Sequence, residues 1–180
     1  LCWHDEKWSE CREAMQKAYA INKDSISYQL MISVCYQKEG DKLKNKEFLT
    51  KMMKNLDRQS EEYALLRLYY DGLGEADVLR KIRAIENANK RGKLLYYMAM
   101  YYELNGGKDS AKTLLLEIKS MNSPMFFEYR LTEWALEKYN VFVSTKKSIL
   151  STPILASSSS VFSFSRNKVT NFIPNPKKNV

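Results

Sequence analysis

Residues 94–119, LLYYMAMYYELNGGKDSAKTLLLEIK, constrain the fold more than any other stretch of the chain. Before the polar turn at residues 105–109, Leu95, Met98, Ala99 and Tyr102 stand at helical i, i+3, i+4, i+7 spacing. After the turn, Ala111, Leu114, Leu115 and Ile118 repeat that spacing. Two amphipathic helices joined by so short a turn fold back antiparallel. One such hairpin cannot bury both of its apolar faces, so it requires neighbours of its own kind.

The rest of the chain supplies them. Residues 1–21 read as a helix with Trp8, Cys11, Met15 and Ala18 on one stripe. Residues 26–38 and 42–56 follow as the second and third helices, separated by Glu39, Gly40 and Asp41, where glycine suits a left-handed stop. Residues 61–70 and 76–89 are the fourth and fifth, and residues 125–139, beyond Pro124, the eighth. The expected fold is all-α: a helical repeat domain over residues 1–140 and an irregular tail over 141–180.

The tail differs in composition. It carries six basic residues and no acid from Ser144 onward, leaving +2 of the net +8 for everything before it. Its Ser-rich, Pro-punctuated sequence sustains no helical or alternating pattern, which predicts an extended or disordered segment. A basic tail suits an acidic partner, nucleic acid or lipid head groups, and the plainer reading is a solvated end. No apolar run approaches the ~18 residues of a membrane span, so no transmembrane segment is expected.

A repeat is visible across the helices. Tyr36, Tyr70 and Tyr102 are each followed four residues later by a glycine, Gly40, Gly74 and Gly106, at intervals of 34 and 32 residues. With WSECREAMQKAYAINKDS, where Cys11, Met15 and Ala18 take the small, aromatic and small positions of a second helix, the chain resembles the tetratricopeptide-repeat family and its 34-residue helix-turn-helix unit. Ala99 and Ala111 supply small residues where paired helices approach closely. The chain departs from that pattern at Leu95, which replaces the signature Trp, at Lys23, Asp57 and Ser123, where Pro is common, and at Asn45, where a small residue belongs. The segment YYDGLGEADVLRKI is similar to the related Sel1-like repeats. The resemblance implies an α-solenoid whose first helices line a concave groove, here Leu30, Val34, Ala64, Leu68, Tyr96, Met100, Arg130 and Trp134. Leu30 and Val34 stand where chaperone-binding members carry Lys and Asn, so that subtype is not implied. In the family register, residues 1–7 end a helix begun upstream; the alternative is a first helix starting at Asp5 or Glu6.

The residues offer no catalytic constellation. His4 is the single histidine, and its neighbours Asp5 and Glu6 diverge from it on a helix. No G-x-S-x-G, Walker or G-x-G-x-x-G motif occurs. Cys2, Cys11 and Cys35 are odd in number and lack a C-x-x-C; Cys11 and Cys35 read as core fillers, and reduced thiols point to the cytoplasm. No cofactor or metal is expected. The expected function is therefore a non-enzymatic scaffold that binds a protein or peptide in its apolar groove. The tail, within residues 141–164, is a candidate to lie in that groove itself. One alternative is binding of nucleic acid or an anionic surface through the basic tail and the tyrosines Tyr63, Tyr69, Tyr70, Tyr96, Tyr97, Tyr101 and Tyr102. Another is a structural segment of a larger repeat protein.

Overall fold

Helix stop signals divide the chain as the sequence suggests. The computed structural model describes residues 2–23, 25–122 and 124–150, the last eleven of these by backbone alone. Among the described residues there are eight helices and no strand: α1 (Trp8–Ile21), α2 (Ile26–Lys38), α3 (Lys42–Met53), α4 (Glu61–Asp71), α5 (Glu75–Arg83), α6 (Ala88–Leu104), α7 (Lys108–Lys119) and α8 (Glu128–Leu150). The all-α expectation holds. Side-chain caps start three of them: Asp41, Ser60 and Asn87 accept from the backbone N–H groups of Lys44, Tyr63 and Lys90 at 3.1, 3.1 and 2.9 Å.

Two of the three Tyr/Gly pairs build one and the same turn. Gly40 (φ 79°) and Gly106 (φ 83°) are left-handed, and the N–H groups of Asp41 and Gly107 donate to the carbonyls of Tyr36 and Tyr102 at 2.9 and 2.8 Å. Both are helix C-caps closed by a 6→1 bond, which only glycine enters without a Cβ penalty. The third pair does not reproduce it. There α4 ends at Asp71, one residue sooner after its tyrosine, with a left-handed Gly72 as its cap, and Gly74 is left-handed as well.

Each helix packs on the next in sequence, and α2, α4, α6 and α8 also pack in an inner row, α2 on α4, α4 on α6 and α6 on α8. In addition, α2 touches α6 directly. This arrangement makes α6 the centre of the core. Every residue from 94 to 101 is buried, because Leu94, Tyr96, Tyr97, Met100 and Tyr101 place apolar surface on the faces that Leu95, Met98 and Ala99 leave open. The one-faced stripe expected for this helix is thus only part of its buried surface. Helix α7 keeps the expected single face, with Ala111, Leu114, Leu115 and Ile118 buried and Leu116 half exposed.

Three polar knots pin the inner row. Ser33 on α2 donates to Asn45 Oδ1 on α3 at 2.7 Å, which is why a buried Asn replaces the small residue expected there. Tyr69 on α4 donates to the Tyr97 carbonyl on α6 at 2.6 Å. The Tyr97 hydroxyl lies 3.0 Å from Glu128 Oε1 and 3.1 Å from the Ser27 carbonyl, and the Ser27 hydroxyl bonds Glu128 as well. Glu128, wholly buried at the start of α8, therefore ties α2, α6 and α8 together.

Four expectations are corrected. The first helix starts at Trp8, and residues 2–6 form turns in place of helix. Cys11 is bonded to Cys2 (Cα–Cα 5.4 Å), so it is a disulfide half rather than a filler, and the argument for reduced thiols lapses; Cys35 alone is free and buried. Helix α5 ends at Arg83 because Asn87 caps a new helix. Helix α8 runs to Leu150, so residues 141–150 of the expected tail are helical. Residues 151–180, with the rest of that tail, lie outside the described residues.

Candidate functional site

Where the inner row opens, a cleft of ≈ 730 Å³ is left between α2, α6, α8, the start of α7 and residues 2–7. Val34 of α2, Tyr96 and Met100 of α6 and Leu131 of α8 form its floor; all four are buried. Trp3, Trp8, Trp134 and Tyr139, all half-buried, form aromatic walls. Lys38, Glu103, Lys108, Asp109, Lys112 and Lys138 ring the opening.

Of the eight residues expected to line a concave groove, four line this cleft: Val34, Tyr96, Met100 and Trp134. The other four do not. Leu30 and Leu68 are fully buried in the core, Ala64 is half-buried within it, and Arg130 lies at the surface with its guanidinium 5.4 Å from the Trp134 ring centre. An open apolar groove running the length of the inner row is therefore absent among the described residues. Helix α2 packs directly on α6, and Leu30 and Leu68 are closed into the core.

Residues 2–7 were not anticipated as part of the site. They form a short strap between α1 and the helices opposite. The disulfide to Cys11 anchors one end, and the Lys7 N–H donates to the Cys2 carbonyl at 2.9 Å. Trp3 Nε1 donates to the Tyr96 hydroxyl at 3.1 Å, and the Trp3 ring stands edge-on to Trp8 at 5.4 Å. The His4 ring meets Trp134 at 5.3 Å. Glu6 pairs with Lys138 of α8 at 2.7 Å and has a left-handed backbone (φ 58°). The only signal for this in the sequence was the close spacing of Trp3 and Trp8 beside two cysteines.

Lys138 bonds Glu6 and holds its carboxyl below the usual range. Burial raises the hydroxyl of Tyr96 and pushes that of Tyr139 up to about 12, so both stay protonated donors. The Tyr139 hydroxyl is buried without a hydrogen-bond partner among the described residues. Lys38 lies 3.8 Å from Glu103 and 5.4 Å from the Trp8 ring centre. Among the described residues no three His, Cys, Asp or Glu side chains converge to hold a metal ion. Tyr69, Tyr96 and Tyr97 of the tyrosine rows are buried, so they form no stacking platform. Among the described residues no helix is long and apolar enough to cross a membrane. Comparison with family models, curated proteins and solved structures gives no match.

Proposed function

We propose that the chain is a non-enzymatic, protein- or peptide-binding module built from tetratricopeptide-like hairpins wound into a tight solenoid. The recurring glycine turns after Tyr36 and Tyr102 and the inner row of even-numbered helices support the repeat reading. The observation that carries the function is the aromatic cleft at the mouth of that row. Trp134 and Tyr139 offer flat apolar area at little cost in side-chain entropy, the composition that dominates binding hot spots. The ring of lysines and carboxylates sets the orientation of a docked chain more than its affinity.

Panning a random peptide library against the full chain tests this reading. Selected peptides should bind at micromolar strength or better, on the order of 8 kcal/mol. Trp134→Ala should weaken them at least tenfold, on the order of 1.4 kcal/mol. Leu73→Ala, at an exposed turn leucine outside the cleft, should leave them unchanged. Peptides indifferent to Trp134→Ala, or a panning that yields none against both the parent and a Trp3→Ala/Glu6→Ala protein, would refute the proposal. Added salt should weaken the complex only slightly, whereas binding to nucleic acid through a basic tail would fall steeply.

A further inference from the structure

The strap at residues 2–7 makes contacts a docked peptide would make. Trp3 donates its indole N–H to Tyr96 on the floor, and Glu6, three residues on, pairs with Lys138 on the rim. His4 stacks edge-on against Trp134, the wall assigned to peptide binding. Tyr96 borders the cleft yet is fully buried, with the Trp3 indole on its hydroxyl. Glu6 holds a left-handed backbone that a non-glycine residue adopts only when its surroundings enforce it. The Cys2–Cys11 bond is a covalent tether on this segment.

We propose that the strap is a built-in cover over the part of the cleft bounded by Tyr96, Trp134 and Lys138, held there by the Cys2–Cys11 disulfide, and that the trans ligand that replaces it is a segment with an aromatic residue and a carboxylate three positions later. This rests on the peptide-binding reading above. Unlocking is a thiol–disulfide exchange with a dithiol reductant. A dithiol thiolate attacks the half-buried Cys2 sulfur, the bond to Cys11 breaks, and Cys11 leaves as a thiolate that takes a proton. The second dithiol sulfur then displaces Cys2, giving two protein thiols and an oxidised cyclic dithiol. Even a cross-link spanning 9 positions restrains the open ensemble, so cutting it should raise the open fraction on the order of tenfold or more. The arm stays attached through Trp8 and still competes at an effective concentration on the order of millimolar. Full access therefore requires loss of its anchors as well.

The test uses the full chain and a labelled hexapeptide, Ser-Trp-His-Asp-Glu-Lys, matching residues 2–7 with serine in place of Cys2. Fluorescence anisotropy should rank affinity as oxidised protein weakest, dithiol-treated protein or Cys2→Ser about tenfold stronger, and the Trp3→Ala/Glu6→Ala variant strongest. Replacing the peptide's Trp with Ala, or introducing Lys138→Glu in the protein, should abolish binding. Cys2→Ser covers the case in which reductant fails to reach buried Cys11. Hydrogen exchange of the amides at residues 2–7 should accelerate to match in the reduced and Cys2→Ser proteins. Unchanged exchange, or library-selected peptides that bind oxidised and reduced protein equally, overturns the lock while leaving peptide binding intact. Failure of every selected peptide to bind even the Trp3→Ala/Glu6→Ala protein overturns the peptide-binding reading and the inference with it.

Discussion

Gly92 on α6 has no room for a side chain. A Cβ there would lie 2.5 Å from Phe126 Cζ, 2.9 Å from Phe126 Cε1 and 2.8 Å from Met121 Sδ. Methionine can swing its end away, but the Phe126 ring must move by roughly 1 Å to restore contact near 3.5 Å. Overpacking of this kind costs about 1–3 kcal/mol. Alanine returns about 1 kcal/mol of helix propensity. Gly92→Ala should therefore destabilise the protein by about 1 kcal/mol net, or roughly 2–4 °C in Tm for a chain of this size. A cycle with Phe126→Ala isolates the clash. With the ring gone, Gly92→Ala should become neutral or stabilising, for a coupling of about 1–3 kcal/mol. Urea unfolding followed by circular dichroism measures all four proteins. A Gly92→Ala protein more stable than the parent, or a coupling below about 0.5 kcal/mol, would refute the packing argument.

Two further outcomes follow from the polar contacts. Tyr97→Phe should cost about 1–3 kcal/mol, measured by urea unfolding, because it strips a partner from the buried Glu128 carboxylate and leaves the Ser27 carbonyl unpaired by that hydroxyl. Glu6 titrates below its usual value near 4.5 because Lys138 bonds its charged form. A carboxyl lowered in the folded state stabilises the closed strap above the unfolded value and loses that contribution as pH falls through the folded one. Lys138→Ala should accordingly move the Glu6 midpoint, followed by NMR, upward toward 4.5, and an unmoved midpoint would remove the ion pair from the account.

Local chemistry was legible and long-range closure was not. Residues 26–38 were bounded correctly because Gly40 and Asp41 terminate one helix and start the next within three residues. The apolar row Ala111, Leu114, Leu115 and Ile118 was likewise plain from spacing alone. The resemblance supplies the face of each helix but not the curvature of the stack. Leu30 and Leu68 sit on the expected face and are buried because α2, α4 and α6 draw together. The strap escaped notice for a related reason. Trp3 finds Tyr96 across 93 positions and Glu6 finds Lys138 across 132, pairings no periodicity encodes.

The clasp of Ser27 to Glu128, 101 positions apart, sets these eight helices apart from an open row of repeats. An open stack of repeats gains or loses units at its ends with little consequence for the remainder, since each unit answers only to its neighbours. Here the outer members hold one another, so excising a central hairpin would strand both halves of the clasp. The chain should melt in a single step, and inserting a further hairpin between Ser27 and Glu128 should break that join.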